Sequence, residues 1–203
     1  MTNNQDRFII ILAGPPGTGK TYLANEIIKE DNRWYLLSYD DIKEEYFDEF
    51  GFDNLDEKKE LGDKAWATYY EKLEKSFNQS EKMIIDYPFS YKQEDTLKQL
   101  IFQYDYTPIT LTLYGDMREL FKRQKERDLK ESRHIGHIVT RFHKGDEIRQ
   151  PDDLDDFKKF KERCEDRKYD EFHIGDYQKI DVTNFENVDL TRILNWTKSK
   201  LYK

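Results

Sequence analysis

The stretch GPPGTGKT at residues 14–21 constrains the fold of this chain more than any other. It follows the apolar run Phe8–Ala13 and precedes a helical pattern over Tyr22–Ile28, so a predicted strand, a glycine-rich turn and a predicted helix follow one another. Glycines let such a turn curl until its N–H groups point at one anion, and the helix N-terminus adds partial positive charge there. The arrangement predicts a loop that binds the phosphates of a nucleoside triphosphate.

Two residues of this loop have distinct expected roles. Lys20 is expected to reach the β- and γ-phosphates, and the Thr21 hydroxyl to bind Mg²⁺. An ordinary glycine turn with a solvated lysine is the alternative, but it does not explain why the flanking strand and helix also fit. The predicted nucleotide-binding residues of the loop are Gly14, Pro15, Pro16, Gly17, Thr18, Gly19, Lys20 and Thr21.

Length and composition limit the remaining possibilities. A chain of 203 residues suits one α/β domain, and its net charge of −8 repels nucleic-acid phosphates unless a local basic groove exists. Cys164 is the single cysteine, so no intramolecular disulfide can form, which fits a reducing compartment. The N-terminus lacks a signal-peptide pattern and the run Phe8–Ala13 is too short to span a bilayer. We therefore expect a cytoplasmic protein without a membrane segment.

Further strands and helices are predicted to alternate along the chain. Strands are expected at 34–38, 82–86, 108–114 and 179–182, and helices at 40–47, 56–77, 91–102, 116–128 and 188–201. Two less regular helical segments are expected between His137 and Ile148 and over 151–168. This alternation predicts an α/β fold with a mostly parallel five-stranded sheet flanked by helices, in one domain over 1–203. Ligands bind such sheets beyond the carboxyl ends of the strands.

Two aspartates follow strands at this edge of the predicted sheet. Asp40 lies just beyond the second strand, where it could accept the proton of a substrate hydroxyl that attacks the γ-phosphate. Alternatively, Asp40 or Asp41 caps the following helix, with Glu44 completing a capping box for Asp41; the two roles are compatible. Asp86 ends the third strand, where a carboxylate holds Mg²⁺ or contacts substrate, or is simply a turn aspartate before Tyr87-Pro88.

A cationic helix follows the fourth predicted strand. Arg123 and Arg127 are four residues apart and share one helix face, from which they could stabilise charge on the transferring phosphoryl group. The alternative is a solvated helix whose cations pair with neighbouring carboxylates. The position favours a phosphate-closing lid at approximately 123–137. Three nearby histidines complete no recognisable metal-ligand spacing, so solvated or capping side chains are the better hypothesis for His134, His137 and His143.

Together these segments resemble the P-loop kinases that include polynucleotide 5′-kinase domains, zeta toxins and small antibiotic or sugar phosphotransferases. The resemblance covers roughly residues 8–144, and loosely the last strand and helix, through GPPGTGKT, SYDDIK at 38–43, IID at 84–86 and ELFKRQKER at 119–127. It implies a three-layer P-loop sandwich with a helical lid, and ATP with Mg²⁺ as cofactors. No Asn-Lys-x-Asp guanine motif is present, which also favours ATP.

The resemblance also implies roles for individual residues. It makes Asp40 the general base, places paired lid arginines at Arg123 and Arg127 with Arg133 as a further candidate, and puts Thr183 near the adenine. Lys43 stands where the polynucleotide kinases have an arginine that grips the acceptor phosphate. Because lysine lacks the bidentate fork of arginine, this departure weakens the case for a phosphate-bearing nucleic-acid acceptor.

The function predicted from the sequence is transfer of the γ-phosphate of ATP to a hydroxyl of a small metabolite or nucleoside. Lys20, Asp40 and the lid arginines would be catalytic, and Asp40, Lys43 and Asp86 would contact the acceptor. The acidic stretch 40–60 argues against a long polyanion, so a polynucleotide 5′-hydroxyl kinase is the alternative. A nucleotide-dependent switch or ATPase without an acceptor is the alternative of another class. The segment 151–178 has no assigned role.

Overall fold

The computed structural model describes residues 7–79, 81–147 and 150–201. Its strands are β1 (Phe8–Ala13), β2 (Trp34–Ser38), β3 (Lys82–Asp86), β4 (Thr107–Tyr114) and β5 (Asp176–Asp181). Its α-helices are α1 (Lys20–Glu30), α2 (Tyr39–Phe50), α3 (Leu55–Asn78), α4 (Tyr91–Gln103), α5 (Met117–Asp128), α6 (Phe157–Arg167) and α7 (Leu190–Leu201).

The strands form one five-stranded sheet in the order β2-β3-β1-β4-β5. Every neighbouring pair is parallel, with Ile10 of β1 opposite Ile84 on one side and Ile109 on the other. The central strand β1 is a nearly unbroken apolar run because a parallel strand covered on both faces has no side that meets water. The predicted α/β class with a mostly parallel sheet is therefore confirmed.

Helices cover both faces of this sheet. Successive residues of a strand point to opposite faces, so Ile9 and Ile11 pack into one core with α2, α3 and α4. Ile10 and Leu12 pack into a second core with α1, α5, α6 and α7. The result is the predicted three-layer sandwich, and it brings the carboxyl ends of the strands to one edge. None of the helices in the described part of the chain is long and apolar enough to cross a bilayer.

The helix predicted between His137 and Ile148 was wrong over 138–147, which contain no helix; Ile148 itself lies outside the described residues. Phe142 instead pairs with Phe52 in an antiparallel bridge, with N–H···O distances of 2.7 and 2.8 Å. The apolar residues of this segment are used in a small third core, where Val139 packs with Phe47 and Phe52. Their spacing reflects packing against that core.

Two other predicted elements were shifted. The charged segment 151–168 is helical only over Phe157–Arg167, because the Asp156 side chain accepts a hydrogen bond from Lys159 N at 2.8 Å and starts the helix there. Strand β5 begins at Asp176 and ends at Asp181, earlier than the predicted 179–182. It is an edge strand paired only with β4, so most of its residues are exposed and it shows little apolar signal.

Candidate active site

A cavity of about 940 Å³ lies at the carboxyl ends of the strands. The residues predicted from sequence that line it are Pro16, Gly17, Gly19, Lys20, Thr21, Asp40, Lys43, Asp86, Arg123 and Arg127. Gly14, Pro15 and Thr18 are buried in the same loop. Thr183 does not line the cavity, but its carbonyl oxygen accepts a hydrogen bond from Arg123, which does. Residues that are distant in sequence, from the first helix to the fifth, thus meet at one place.

The loop between β1 and α1 has the backbone of a phosphate-binding loop. Gly14 and Gly17 have φ angles of +126° and +82°, which favour glycine. A Cβ at Gly14 would collide with the carbonyl oxygen of Leu113, and one at Gly17 with that of Leu120. The Thr18 hydroxyl closes the turn by donating to Pro15 O at 2.8 Å. Both the turn and its close packing against β4 and α5 therefore require glycine.

Lys20 opens α1 and is folded back over the loop. Its Nζ donates hydrogen bonds to Gly14 O and Pro15 O, both at 2.9 Å. Burial lowers the pKa of Lys20 to about 8, although the carboxylate of Asp86 opposes this effect. The ammonium is held by the loop's own carbonyl oxygens, where it can exchange them for phosphate oxygens.

Thr21 and Asp86 are joined by a short hydrogen bond. The Thr21 hydroxyl donates to Asp86 Oδ2 at 2.6 Å, and burial raises the pKa of Asp86 even though this bond favours its ionised form. The two side chains offer the hard oxygen donors that Mg²⁺ prefers. Within the described ranges no three His, Cys, Asp or Glu side chains form a metal-binding group. The pair fits an ion that takes few protein ligands and is completed by phosphate and water.

Asp40 lies in the first turn of α2, with its carboxylate partly exposed in the cavity. Ser38 is the N-cap, since its hydroxyl accepts from Asp41 N at 3.4 Å, so the alternative in which Asp40 or Asp41 caps the helix was wrong. Burial would raise the pKa of Asp40, but electrostatic interactions with the basic side chains of His137, Arg133 and others outweigh it and lower that pKa. The carboxylate is therefore ionised at neutral pH and can accept a proton.

Arg133 forms an ion pair with Asp40. Both of its terminal nitrogens lie 3.4 Å from Asp40 Oδ2, and the guanidinium also lies 3.7 Å from Glu44 and 3.6 Å from Asp128. Its side chain is 15% exposed and lines the cavity. Arg127, by contrast, donates to the carboxylate of its neighbour Asp128 at 2.8 and 3.0 Å. The guanidinium of Arg133 therefore sits among three carboxylates, and Arg127 borders this group.

Arg123 contacts the loop that follows β5. Its terminal nitrogens donate to Val182 O at 2.7 Å and Thr183 O at 2.6 Å, and its guanidinium lies 4.0 Å from the centre of the Phe185 ring. Phe185 also lies beside the loop, because a Cβ on Gly19 would be 3.2 Å from the ring. Sequence reasoning missed Phe185; its signal was an aromatic residue in a polar stretch at the carboxyl end of the last strand.

Lys58 was also missed, because one lysine in an acidic stretch carries no signal. It is buried on α3, and its Nζ donates to His137 O at 3.0 Å, Val139 O at 2.9 Å and Asp153 Oδ2 at 2.7 Å. Lys43 lies in the same cavity wall, with its Nζ 5.2 Å from the centre of the Phe47 ring. Burial lowers the pKa of Lys43. The wall therefore contains two lysines as well as carboxylates.

The three predicted histidines connect this wall to α2 and the residues that follow it. His137 Nε2 lies 2.7 Å from Glu44, and His134 and His143 lie 3.1 Å from Asp48 and Asp53 respectively. His134 also caps the 3₁₀ turn Ile135–His137, because its Nδ1 accepts from Gly136 N. The segment after α5 is thus docked on α2 through histidine–carboxylate contacts.

Comparison with known proteins identifies a matching family. The family model described as AAA domain, AAA_33, matches residues 9–142, from β1 to the segment that follows α5. No protein with a curated description matches the sequence.

Solved structures share the fold at low sequence identity. A candidate kinase from Chloroflexus aurantiacus J-10-fl superposes with a TM-score of 0.74 at 22% identity, covering 97% of each chain. A gluconokinase from Sinorhizobium meliloti 1021 gives 0.55 at 12% identity, covering 97% of this chain and 92% of that one. A chain of the Pnkp1/Rnl/Hen1 complex gives 0.50 at 18% identity, covering 65% of this chain and 44% of that one. The likeness shows the P-loop kinase fold.

Proposed function

The chain belongs to the AAA_33 family of AAA domains, and from that premise we propose that it is a phosphotransferase acting with ATP and Mg²⁺. It would transfer the γ-phosphate to a hydroxyl of a small metabolite or nucleoside, in the cytoplasm. The observation that carries this proposal is the single cavity in which Lys20, Asp86 and Asp40 lie together. A cation, a metal-binding carboxylate and a proton acceptor are what phosphoryl transfer to an alcohol requires.

Each group has a defined part in the proposed reaction. The loop N–H groups and Lys20 would bind the β- and γ-phosphates, with Lys20 leaving its carbonyl partners. Thr21 and Asp86 would hold Mg²⁺, which when bound neutralises phosphate charge. The Asp40 carboxylate would accept the proton of the acceptor hydroxyl as its oxygen attacks the γ-phosphorus, while the bond to the β-phosphate breaks.

The cations after β4 would stabilise the charge of the transferring group. We propose that residues 123–137 act as the lid, with Arg127 and Arg133 facing the phosphoryl oxygens because both border Asp40. A catalytic role for Arg123 stays a prediction; its hydrogen bonds to Val182 O and Thr183 O favour a position beside the nucleotide base. The segment 151–178 contributes Asp153 to the acceptor wall through its contact with Lys58.

A polynucleotide 5′-end is the alternative acceptor. It is favoured by the cationic side chains of Lys43, Lys58 and Arg133 in the cavity wall. The net charge of −8 and the carboxylates of the same wall, including Asp153 and Asp155, favour a small acceptor. An ionised aspartate at the end of the phosphate site favours transfer to an acceptor hydroxyl over a switch or ATPase that has no acceptor.

The proposal is tested by a labelled-ATP assay against a panel of polyols, nucleosides and a 5′-hydroxyl oligonucleotide. Phosphoryl transfer to at least one acceptor is expected. Asp40→Asn should reduce that transfer by about 100-fold or more and leave the dissociation constant of ATP within about twofold. Glu49→Gln, on the exposed side of the same helix, is the control. Equal transfer by Asp40→Asn would refute the assignment of the base.

A further inference from the structure

Two tyrosines line the cavity away from the phosphate loop. Tyr87 directly follows Asp86 at the end of β3, and Tyr169 follows α6 in the segment 151–178, which has no role predicted from sequence. Tyr169 also lies beyond residues 9–142, which the family model matches. The wall of the cavity is therefore built in part by a segment outside the matched family domain.

The hydroxyls of both tyrosines are unpaired within the described part of the chain. Neither forms a hydrogen bond with another described residue, although Tyr169 is only 7% exposed. A largely buried tyrosine usually has a partner for its hydroxyl. Burial raises the pKa of both tyrosines, so each keeps its proton at neutral pH and can both donate and accept a hydrogen bond. Both hydroxyls are therefore available to a molecule in the cavity.

The ring of Tyr87 is held in place by its neighbours. Its centre lies 4.9 Å from the ring centres of both Tyr39 and Trp66, in edge-to-face contacts. Asp40 and Tyr169 lie close enough to influence the pKa of Tyr87, after the larger effects of burial and Tyr39. The ring is thus fixed near the proposed base before an acceptor binds, so that little side-chain freedom is lost on binding.

The charged side chains that the segment 151–178 contributes to the cavity are paired. Asp155 lies 2.5 Å from Arg163, and Asp153 lies 2.7 Å from Lys58 on α3. These four charges balance, while the two carboxylates keep lone pairs that can accept from a hydroxyl of a ligand. This part of the wall therefore offers hydrogen bonds to a polyhydroxy molecule and no uncompensated cation to an anion.

Lys43 is the feature of the cavity that would favour an anionic acceptor instead. Its ammonium forms no hydrogen bond with another described residue and lies 5.2 Å from the centre of the Phe47 ring. Burial lowers the pKa of Lys43, and Asp40 is the carboxylate that opposes this effect most strongly. The charge of Lys43 is therefore balanced by the proposed base rather than left for the acceptor.

We propose that Tyr87 and Tyr169 bind the acceptor and select a neutral polyol or sugar over the corresponding sugar acid. Each phenol would share a hydrogen bond with one hydroxyl of the acceptor, while a further hydroxyl lies at Asp40 for transfer. A compound must carry several hydroxyls to make all of these contacts. This inference rests on the proposed function, since it concerns the acceptor of the same reaction.

The class of acceptor is tested with labelled ATP, Mg²⁺ and the whole protein against matched pairs, sorbitol with gluconate and ribitol with ribonate. Both members of a pair keep the terminal hydroxyl and differ in charge. We expect kcat/KM to be higher for the neutral member by about tenfold or more, because the acid would meet the carboxylates of the wall. Faster transfer to the acid, or transfer only to nucleosides or an oligonucleotide, would overturn the proposed class. Transfer to no acceptor at all would instead remove the proposed function itself.

Two variants test the tyrosines themselves. Tyr87→Phe and Tyr169→Phe should each lower kcat/KM for the better polyol about three- to tenfold, the effect of one neutral hydrogen bond, and leave the KM of ATP within about twofold. Because neither hydroxyl has a described partner, the urea midpoint should not fall.

Tyr106→Phe is the matched control. The Tyr106 hydroxyl donates to Glu81 O at 2.8 Å and lies outside the cavity, so its loss should lower the urea midpoint and leave both kinetic constants unchanged. An unchanged kcat/KM for the polyol in both Tyr87→Phe and Tyr169→Phe would overturn the inference while transfer by the unsubstituted protein upholds the proposed function. Equal losses for ATP and polyol would also contradict it, since they would show general damage to the site.

Discussion

At the scale of the residue, the buried ammonium of Lys20 makes nucleotide affinity depend on pH. Burial lowers the pKa of this lysine from its ordinary 10.5 to about 8 in the free protein. Above that pH the side chain is neutral, and binding a triphosphate must first restore its proton. We therefore expect the dissociation constant of ATP to rise about tenfold between pH 7 and pH 9, measured by calorimetry at constant salt.

The control for this prediction is a variant that keeps a positive charge at position 20 but does not titrate between pH 7 and pH 9. Lys20→Arg carries a guanidinium that stays protonated across the range, so its affinity, even if weaker overall, should not fall in that interval. The lowered pKa of Lys20 also affects folding stability, which rises with pH whereas the affinity for ATP falls. The folded protein loses its proton near pH 8 and the unfolded chain near 10.5, so the contribution of Lys20 to stability rises with pH between these values. A pH-independent affinity in the unsubstituted protein would contradict the burial of its ammonium.

At the scale of the element, the phosphate loop packs closely against α5 because Gly17 has no side chain. Gly17→Ala would impose a φ of +82° on alanine and push its Cβ into Leu120 O, so we expect a loss of about 1–3 kcal/mol of unfolding free energy. Gly145→Ala is the control, since its φ is +94° but no atom lies within 4 Å of the added Cβ. It should cost only about 1 kcal/mol. Equal losses in urea unfolding would show that packing on α5 contributes nothing.

The docking of the segment after α5 depends on Lys58. Lys58→Met removes the donor for two carbonyl oxygens and Asp153, so we expect a loss of about 3 kcal/mol in urea unfolding. Lys59→Met is the matched control on the same helix. Lys59 is 80% exposed and lies 3.9 Å from Asp63, so its replacement should change stability by less than about 0.5 kcal/mol. Similar losses in both variants would contradict the central role of Lys58.

The strands and helices also show how much of the fold and of the candidate site could be predicted from sequence. β1, β2 and β3 were placed at their observed bounds because each is a short apolar run between turns. The segment 138–147 was mistaken for a helix because its conformation is set by pairing with Phe52, which local periodicity does not reveal. The phosphate loop was predicted from its glycine motif and flanking elements, and the location of Asp40 and Asp86 at the same edge from the rule for parallel sheets. The contacts of Arg133 with Asp40, and of Arg123 with Val182 and Thr183, join distant segments and left no local pattern.

At the scale of the whole molecule, the cavity joins elements from both faces of the sheet. The proposed phosphate-binding residues lie in the loop after β1 and at the start of α1, the proposed metal-binding carboxylate lies at the end of β3, and the proposed base lies in α2. A nucleotide that contacts all of them binds only the folded chain. Its binding free energy therefore adds to the stability of the whole fold.

This linkage gives a prediction that needs no acceptor. At 100 times its dissociation constant, Mg²⁺-ATP should stabilise the fold by about 2.7 kcal/mol, which for a domain of this size raises Tm by roughly 5–10 °C. Removing Mg²⁺ with EDTA at the same ATP concentration should shrink the shift, because Thr21 and Asp86 would then lack the ion that joins them to phosphate.

Asp86→Asn tests whether the decrease of the Tm shift on removal of Mg²⁺ arises at the site of Thr21 and Asp86. The variant keeps a hydrogen-bonding oxygen for Thr21 but loses the charge that attracts the cation, so its Tm shift with ATP should be small and should no longer respond to EDTA. Glu49→Gln, exposed on α2, should behave as the unsubstituted protein in both conditions. If Asp86→Asn kept the full Mg²⁺-dependent shift, the ion would be held elsewhere, and the pairing of Thr21 with Asp86 would be a structural hydrogen bond.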